Sequence, residues 1–258
     1  MNFTPADRAD LRRAKDLLEH PGLAARVSGL IGMPLEKAFD LLPERWSEAV
    51  ATATRRSLDT ALSVALDTLD AQPRRSRDVF HKLAVAATGA GGGALGLLGL
   101  PLELPVSTTV MLRSIAEIAR SEGERFESPE GRLACLEVFA LGGRSTADDA
   151  AESSYFLVRA ALARSVTEAA QYVAQRSVID HGAPALVRFM AQLASRFGIT
   201  VSQKIAAQAV PVIGAAGGAT INVMFIDHFQ DMARGHFIVR RLERIYGADL
   251  VRTEYERL

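Results

Sequence analysis

The sequence predicts an all-α protein: a multi-helix bundle with two glycine-rich apolar helical hairpin elements related by a weak internal duplication. Three observations predict it. Aromatic residues are only 6% of the chain, β-branched runs are scarce, and the strong helix formers alanine, leucine, arginine and glutamate dominate. Apolar residues recur at helical spacing through most of the sequence. Proline and glycine signals cut it into pieces of helix length. With 48% hydrophobic residues among 258, the chain is long and apolar enough to bury a substantial core. Thirty basic residues balance thirty acidic ones, which removes the global positive field expected of a nucleic-acid binder.

The elements follow in order. Thr4 to His20 reads as a short polar helix, charged throughout and without the apolar core of a secretory signal, so export by that route is not expected. From Pro34 to Asp70, residues Phe39, Leu42, Trp46, Val50, Leu58, Leu62, Leu66 and Leu69 fall on one helical face, with Pro43 kinking or restarting the helix. These residues make an amino-terminal helical region, 1–72, and a basic connector, Pro73-Arg74-Arg75-Ser76-Arg77, leads into a helical core, 73–258, the two together forming one compact domain. Ser128 and Pro129 start a helix that Gly142-Gly143 ends, and Cys135 on it should face inward. This lone cysteine can form no internal disulfide, which suits a reducing cytoplasm. Ser145 caps the next helix, expected to run to about Asp180; Gly182 and Pro184 break the chain before another that carries Leu186, Phe189, Met190 and Leu193 to Phe197.

Two segments stand out, 83–112 and 205–226. The first is charge-free from Leu83 to Leu112 apart from Glu103, and the second is charge-free throughout. Each matches the roughly 20 residues that span a bilayer, yet alanine and glycine contribute little insertion energy. Gly89-Ala90-Gly91-Gly92-Gly93-Ala94 parallels Gly214-Ala215-Ala216-Gly217-Gly218-Ala219, and Arg113, Glu117 and Arg120 align with Asp227, Asp231 and Arg234. Glycines four apart, Gly89 with Gly93, Gly92 with Gly96 and Gly214 with Gly218, open one helix face to close packing. Tight packing inside a bundle is one consequence. The other is a re-entrant hairpin bent at Pro101 and Pro105, with Arg74, Arg75, Arg77, Lys82 and Arg113 on one basic, cytoplasm-facing side.

Long ordered motifs resemble the EcsC family. They are Leu104-Pro105-Val106-Ser107-Thr108-Thr109 with Met111-Leu112-Arg113-Ser114-Ile115-Ala116, the run Arg132 to Gly143, and Pro211-Val212-Ile213-Gly214 leading to Ile221-Asn222, Phe225 to Gln230 and His236-Phe237. The resemblance covers roughly Leu83 to Gly247. It implies a cytoplasmic or membrane-peripheral bacterial protein; because the family takes its name from a gene neighbouring an ABC transporter and has no settled biochemical activity, it assigns no catalytic residue.

The polar residues of the last long helix carry whatever chemistry the sequence offers. Asp227 and Asp231 lie one turn apart, with Asn222, His228 and His236 nearby. Arg113, Glu117 and Glu103 from the first repeat are expected to join Asn222, Asp227, His228 and Asp231 in a buried polar cluster, Arg113 pairing with Asp227 or Asp231. No zinc spacing appears, so no metal or cofactor is expected. Arg240, Arg241 and Arg244 read as a solvated face, or as contacts to lipid headgroups. Two functions from different classes follow. The first is a non-enzymatic protein bound to the cytoplasmic face of an anionic membrane or to an ABC transporter, with Arg74, Arg75, Arg77 and Lys82 as lipid contacts. The second is a soluble metal-assisted hydrolase using Asp227, Asp231 and His228, with Asn222 and Arg113 orienting the substrate.

Overall fold

The computed structural model describes residues 3–19, 22–69, 99–142, 154–176, 179–210 and 214–258. These residues form ten helices and no strand: α1 (Pro5–Glu19), α2 (Leu23–Ile31), α3 (Leu35–Phe39), α4 (Trp46–Thr68), α5 (Leu100–Ser121), α6 (Pro129–Leu141), α7 (Ser154–Ala174), α8 (Pro184–Gln208), α9 (Gly214–Tyr246) and α10 (Ala248–Arg257). The all-α bundle expected from composition and periodicity is the observed fold.

Local chemistry sets several of the boundaries. The Thr4 hydroxyl accepts the Asp7 backbone N–H at 3.1 Å and starts α1. Pro43 sits in the turn between α3 and α4, so the periodic stretch Pro34–Asp70 is two helices rather than one kinked one. Ser128 Oγ accepts the Gly131 N–H at 3.3 Å with Pro129 at the first helical position, as the start signal requires. Cys135 is buried, and burial drives its thiol pKa upward, so it is an inert core residue. The helix expected to reach Asp180 stops at Ala174, because Asp180 is a turn residue: its backbone N–H binds Tyr172 Oη and its carboxylate accepts the Gly182 N–H at 2.8 Å.

One expectation fails for a reason of proline geometry. Pro101 and Pro105 do not bend a hairpin; both lie inside α5, Pro101 in its first turn, where the absent N–H has no partner to lose. The second charge-free block is divided between two helices. Its first residues end α8 at Gln208, α9 begins at Gly214, and Pro211 between them disfavours the helical backbone for the residue before it. No helix among the described residues is long and apolar enough to cross a membrane. Of the packing glycines, Gly89, Gly93 and Gly96 lie outside the described residues, whereas Gly214 opens α9 and Gly218 is buried within it.

The 33-residue α9 is the hub, packing against α1, α2, α5, α6, α8 and α10. Phe139 of α6, Phe197 of α8 and Phe225 and Phe229 of α9 meet with ring centroids 5.0 to 6.2 Å apart. Offset and edge-on contacts of this kind add to the energy of simple burial. α1 crosses α9 at Gly235, where a Cβ would lie 2.6 Å from Leu18 Cγ. α4 closes the other side against α5 and α8.

α8 runs past Phe197 through Gly198, a helix-interior glycine whose added Cβ would meet nothing within 4 Å. Gly198→Ala is therefore expected to raise stability by about 0.5–1 kcal/mol. Urea denaturation checks it, and a loss of stability would contradict the open space beside that helix.

Candidate functional site

Three groups of polar side chains between the helices bear on a possible site. The first joins α5, α8 and α9. Lys204 is fully buried, its Nζ 2.6 Å from Glu103 Oε1 and 5.0 Å from the centre of the Phe225 ring. Asn222 Nδ2 donates to the same Glu103 oxygen at 3.1 Å. Burial pushes the Lys204 pKa down, against the charge and hydrogen bond of Glu103, which favour the ammonium.

The second group joins α6, α7 and α9. Tyr155 Oη lies 3.0 Å from His236 Nδ1, and His236 Nε2 faces Glu137 Oε2 at 4.0 Å. Burial raises the Tyr155 pKa and, with Arg159 and Arg240 nearby, lowers that of His236 well below its usual value, so both are neutral. A neutral tyrosine donates to Nδ1, which leaves the imidazole proton on Nε2, toward Glu137. Burial also raises the Glu137 pKa. Two ion pairs flank this chain: Arg159 grips Glu243 through both oxygens at 2.7 and 3.0 Å, and Arg240 grips Glu124 at 3.0 and 2.8 Å. Against the burial that would raise it, Arg240 and Arg244 hold Glu124 below the usual carboxylate range.

The third group is what remains of the cluster expected from sequence. Glu103 and Asn222 do meet, but around Lys204. His228 Nε2 contacts the Gly142 carbonyl at 3.1 Å, and a Cβ at Gly142 would fall 2.5 Å from that nitrogen. Asp231 pairs with Arg234 at 3.1 Å and with Arg26 of α2 at 3.7 Å instead of with Arg113, which is exposed on α5. Burial and the nearby Asp227 raise the Asp231 pKa, against those arginines. Glu117 is half-buried on α5, where Asp227 is half-buried on α9. Among the described residues no three His, Cys, Asp or Glu side chains gather to hold a metal ion, and His228 Nε2 faces the Gly142 carbonyl. Arg74, Arg75, Arg77 and Lys82 lie outside the described residues.

The arginines of α9 are not a solvated face. Arg240 and Arg244 hold Glu124, and Arg241 joins Glu122 at 2.8 Å and Asp10 at 2.6 Å, because the α5–α6 loop and α1 bring carboxylates over them. Lys204, Glu137, Tyr155 and Arg159 escaped the sequence reading. Only Lys204 had a visible signal: it abuts one charge-free block while Glu103 is the single charge inside the other.

The fold and these groups define an all-helical protein whose ionisable side chains fasten helix to helix. The chain belongs to the EcsC protein family, whose model matches residues 7–242 and so takes in the amino-terminal helices as well as the core. No curated protein matches the chain, and no solved structure does.

Proposed function

We propose that this chain is a non-enzymatic helical protein that associates with the cytoplasmic face of an anionic membrane, where a membrane transporter is within its reach. One observation carries the reading. At the head of α5, Leu102 is 76% exposed and Val106, one turn on, is 50% exposed. Val110 continues the row half-buried, and Arg113 ends it on the same face. Isolated exposed apolar side chains are ordinary, but this row continues the charge-free stretch Leu83–Leu102, which Lys82 and the three arginines Arg74, Arg75 and Arg77 precede. Apolar contact below the headgroups and basic contact among them act together, each basic residue adding about 1 kcal/mol near an anionic surface.

The full chain is expected to float with phosphatidylglycerol vesicles at low salt and to be released at high salt. Leu102→Asp with Val106→Asp should cut the bound fraction several-fold, and so should replacing Arg74, Arg75 and Arg77 by glutamate. Protein that stays at the bottom of the gradient at low salt would remove this reading.

A further inference from the structure

A cavity of about 670 Å³, open to solvent along the side formed by Ser47, Ala51, Val187 and Ala191, lies between α4 and α8, in a part of the bundle that shares no residue with the Leu102–Val106 row. Trp46, Val50 and Met190 are among its apolar walls, and Gly198 leaves one wall open where any other residue would place a side chain. Such a glycine weakens α8 and serves no close helix contact, which makes sense if the space it leaves is used. The volume falls within the roughly 300–1,000 Å³ of sites that enclose one drug-sized ligand. At the rim stand Arg55 and Asp59, one turn apart on α4. Neither is held in an ion pair among the described residues.

We infer that this cavity binds a single-tailed zwitterionic phospholipid of the lysophosphatidylethanolamine class. Its one acyl tail lies along the apolar wall beside Gly198, its phosphate meets the Arg55 guanidinium, and its ammonium meets the Asp59 carboxylate. A guanidinium suits a phosphate through paired donors, and two opposite charges on successive turns match a headgroup that carries both signs a few atoms apart. The cavity's size favours one tail over two. The site is independent of the membrane-attachment surface, so either can fail without the other.

Trp46 is the chain's only tryptophan and lines the cavity, which gives the test a local reporter. The full-length protein, stripped of lipid, is titrated below the critical micelle concentration with lysophosphatidylethanolamine carrying a brominated tail. Saturable quenching of Trp46 at one lipid per protein is expected. Gly198→Leu should weaken it at least tenfold with the far-UV circular dichroism unchanged. Arg55→Ala and Asp59→Ala, both on the rim and away from the core, should each weaken it several-fold whether or not Gly198→Leu folds. A brominated fatty acid of the same length, lacking the ammonium, should bind more weakly. Absent or unsaturable quenching overturns the assignment, as does equal binding of the fatty acid or indifference to both rim substitutions.

Discussion

Replacing Lys204 by methionine is expected to destabilise the protein by about 3–5 kcal/mol, the range found when one partner of a buried ion pair is removed. The side chains are close in length, so packing changes little. What changes is Glu103, which sits 6% exposed with only Asn222 left among the partners at its inward oxygen. A buried carboxylate stripped of its cation has to take up a proton or draw in water, and both cost stability. Lys204→Met with Glu103→Leu should recover most of the loss, since two apolar groups of matching volume leave nothing unpaired. Urea denaturation of the two single variants and the double one tests this as a cycle. A Lys204→Met protein within about 1 kcal/mol of wild type would show that Glu103 finds another route to satisfaction.

Acid should weaken the fold through His236 before the surface carboxylates titrate. Its folded pKa is depressed, by burial first and then by Arg159 and Arg240, so between pH 6.5 and that lower value the unfolded chain binds a proton that the folded chain refuses. Stability from this residue is present above pH 6.5 and is lost as pH falls, at up to about 1.4 kcal/mol per pH unit. Glu137 acts with the opposite sign, because its raised pKa lets the folded state take up a proton first as pH drops toward 4.5. Glu124, held low by its arginines, loses its contribution only below that window. The clean measurement is therefore a difference. Between pH 6.5 and 4.5 the wild type should lose stability faster than His236→Gln, which keeps an acceptor for Tyr155 without titrating, the difference growing by up to about 1.4 kcal/mol per pH unit. Parallel pH profiles for the two proteins would show that His236 is not held neutral.

Much of the fold is legible in single stretches of chain. The start of α6 needs only Ser128 and Pro129, Pro43 marks the place where the helix of the Pro34–Asp70 stretch kinks or restarts, and Cys135 is inward because α6 is apolar almost all round, with every residue from Leu133 to Leu141 buried. Capping, ring closure and periodicity are interactions over a few residues, so the sequence displays them directly. The candidate polar groups are a different matter. Asp227 and Asp231 looked like a pair with Arg113 because all three align in the repeat, yet the approach of α2 delivers Arg26 to Asp231 and leaves Arg113 outside. Arg240, Arg241 and Arg244 looked solvated because the carboxylates that cover them come from positions more than a hundred residues earlier.

By itself the sequence determined that this protein is helical, that it belongs with the EcsC proteins, and that any charge interrupting its two apolar blocks must be matched. Only the tertiary structure decided the matching: Glu103 with Lys204, Tyr155 with His236, Arg159 with Glu243. The physical reason is range. Helix propensity and end signals act within one or two turns, whereas the partner of a buried charge is chosen by which helices cross there, and that depends on the packing of the whole core at once.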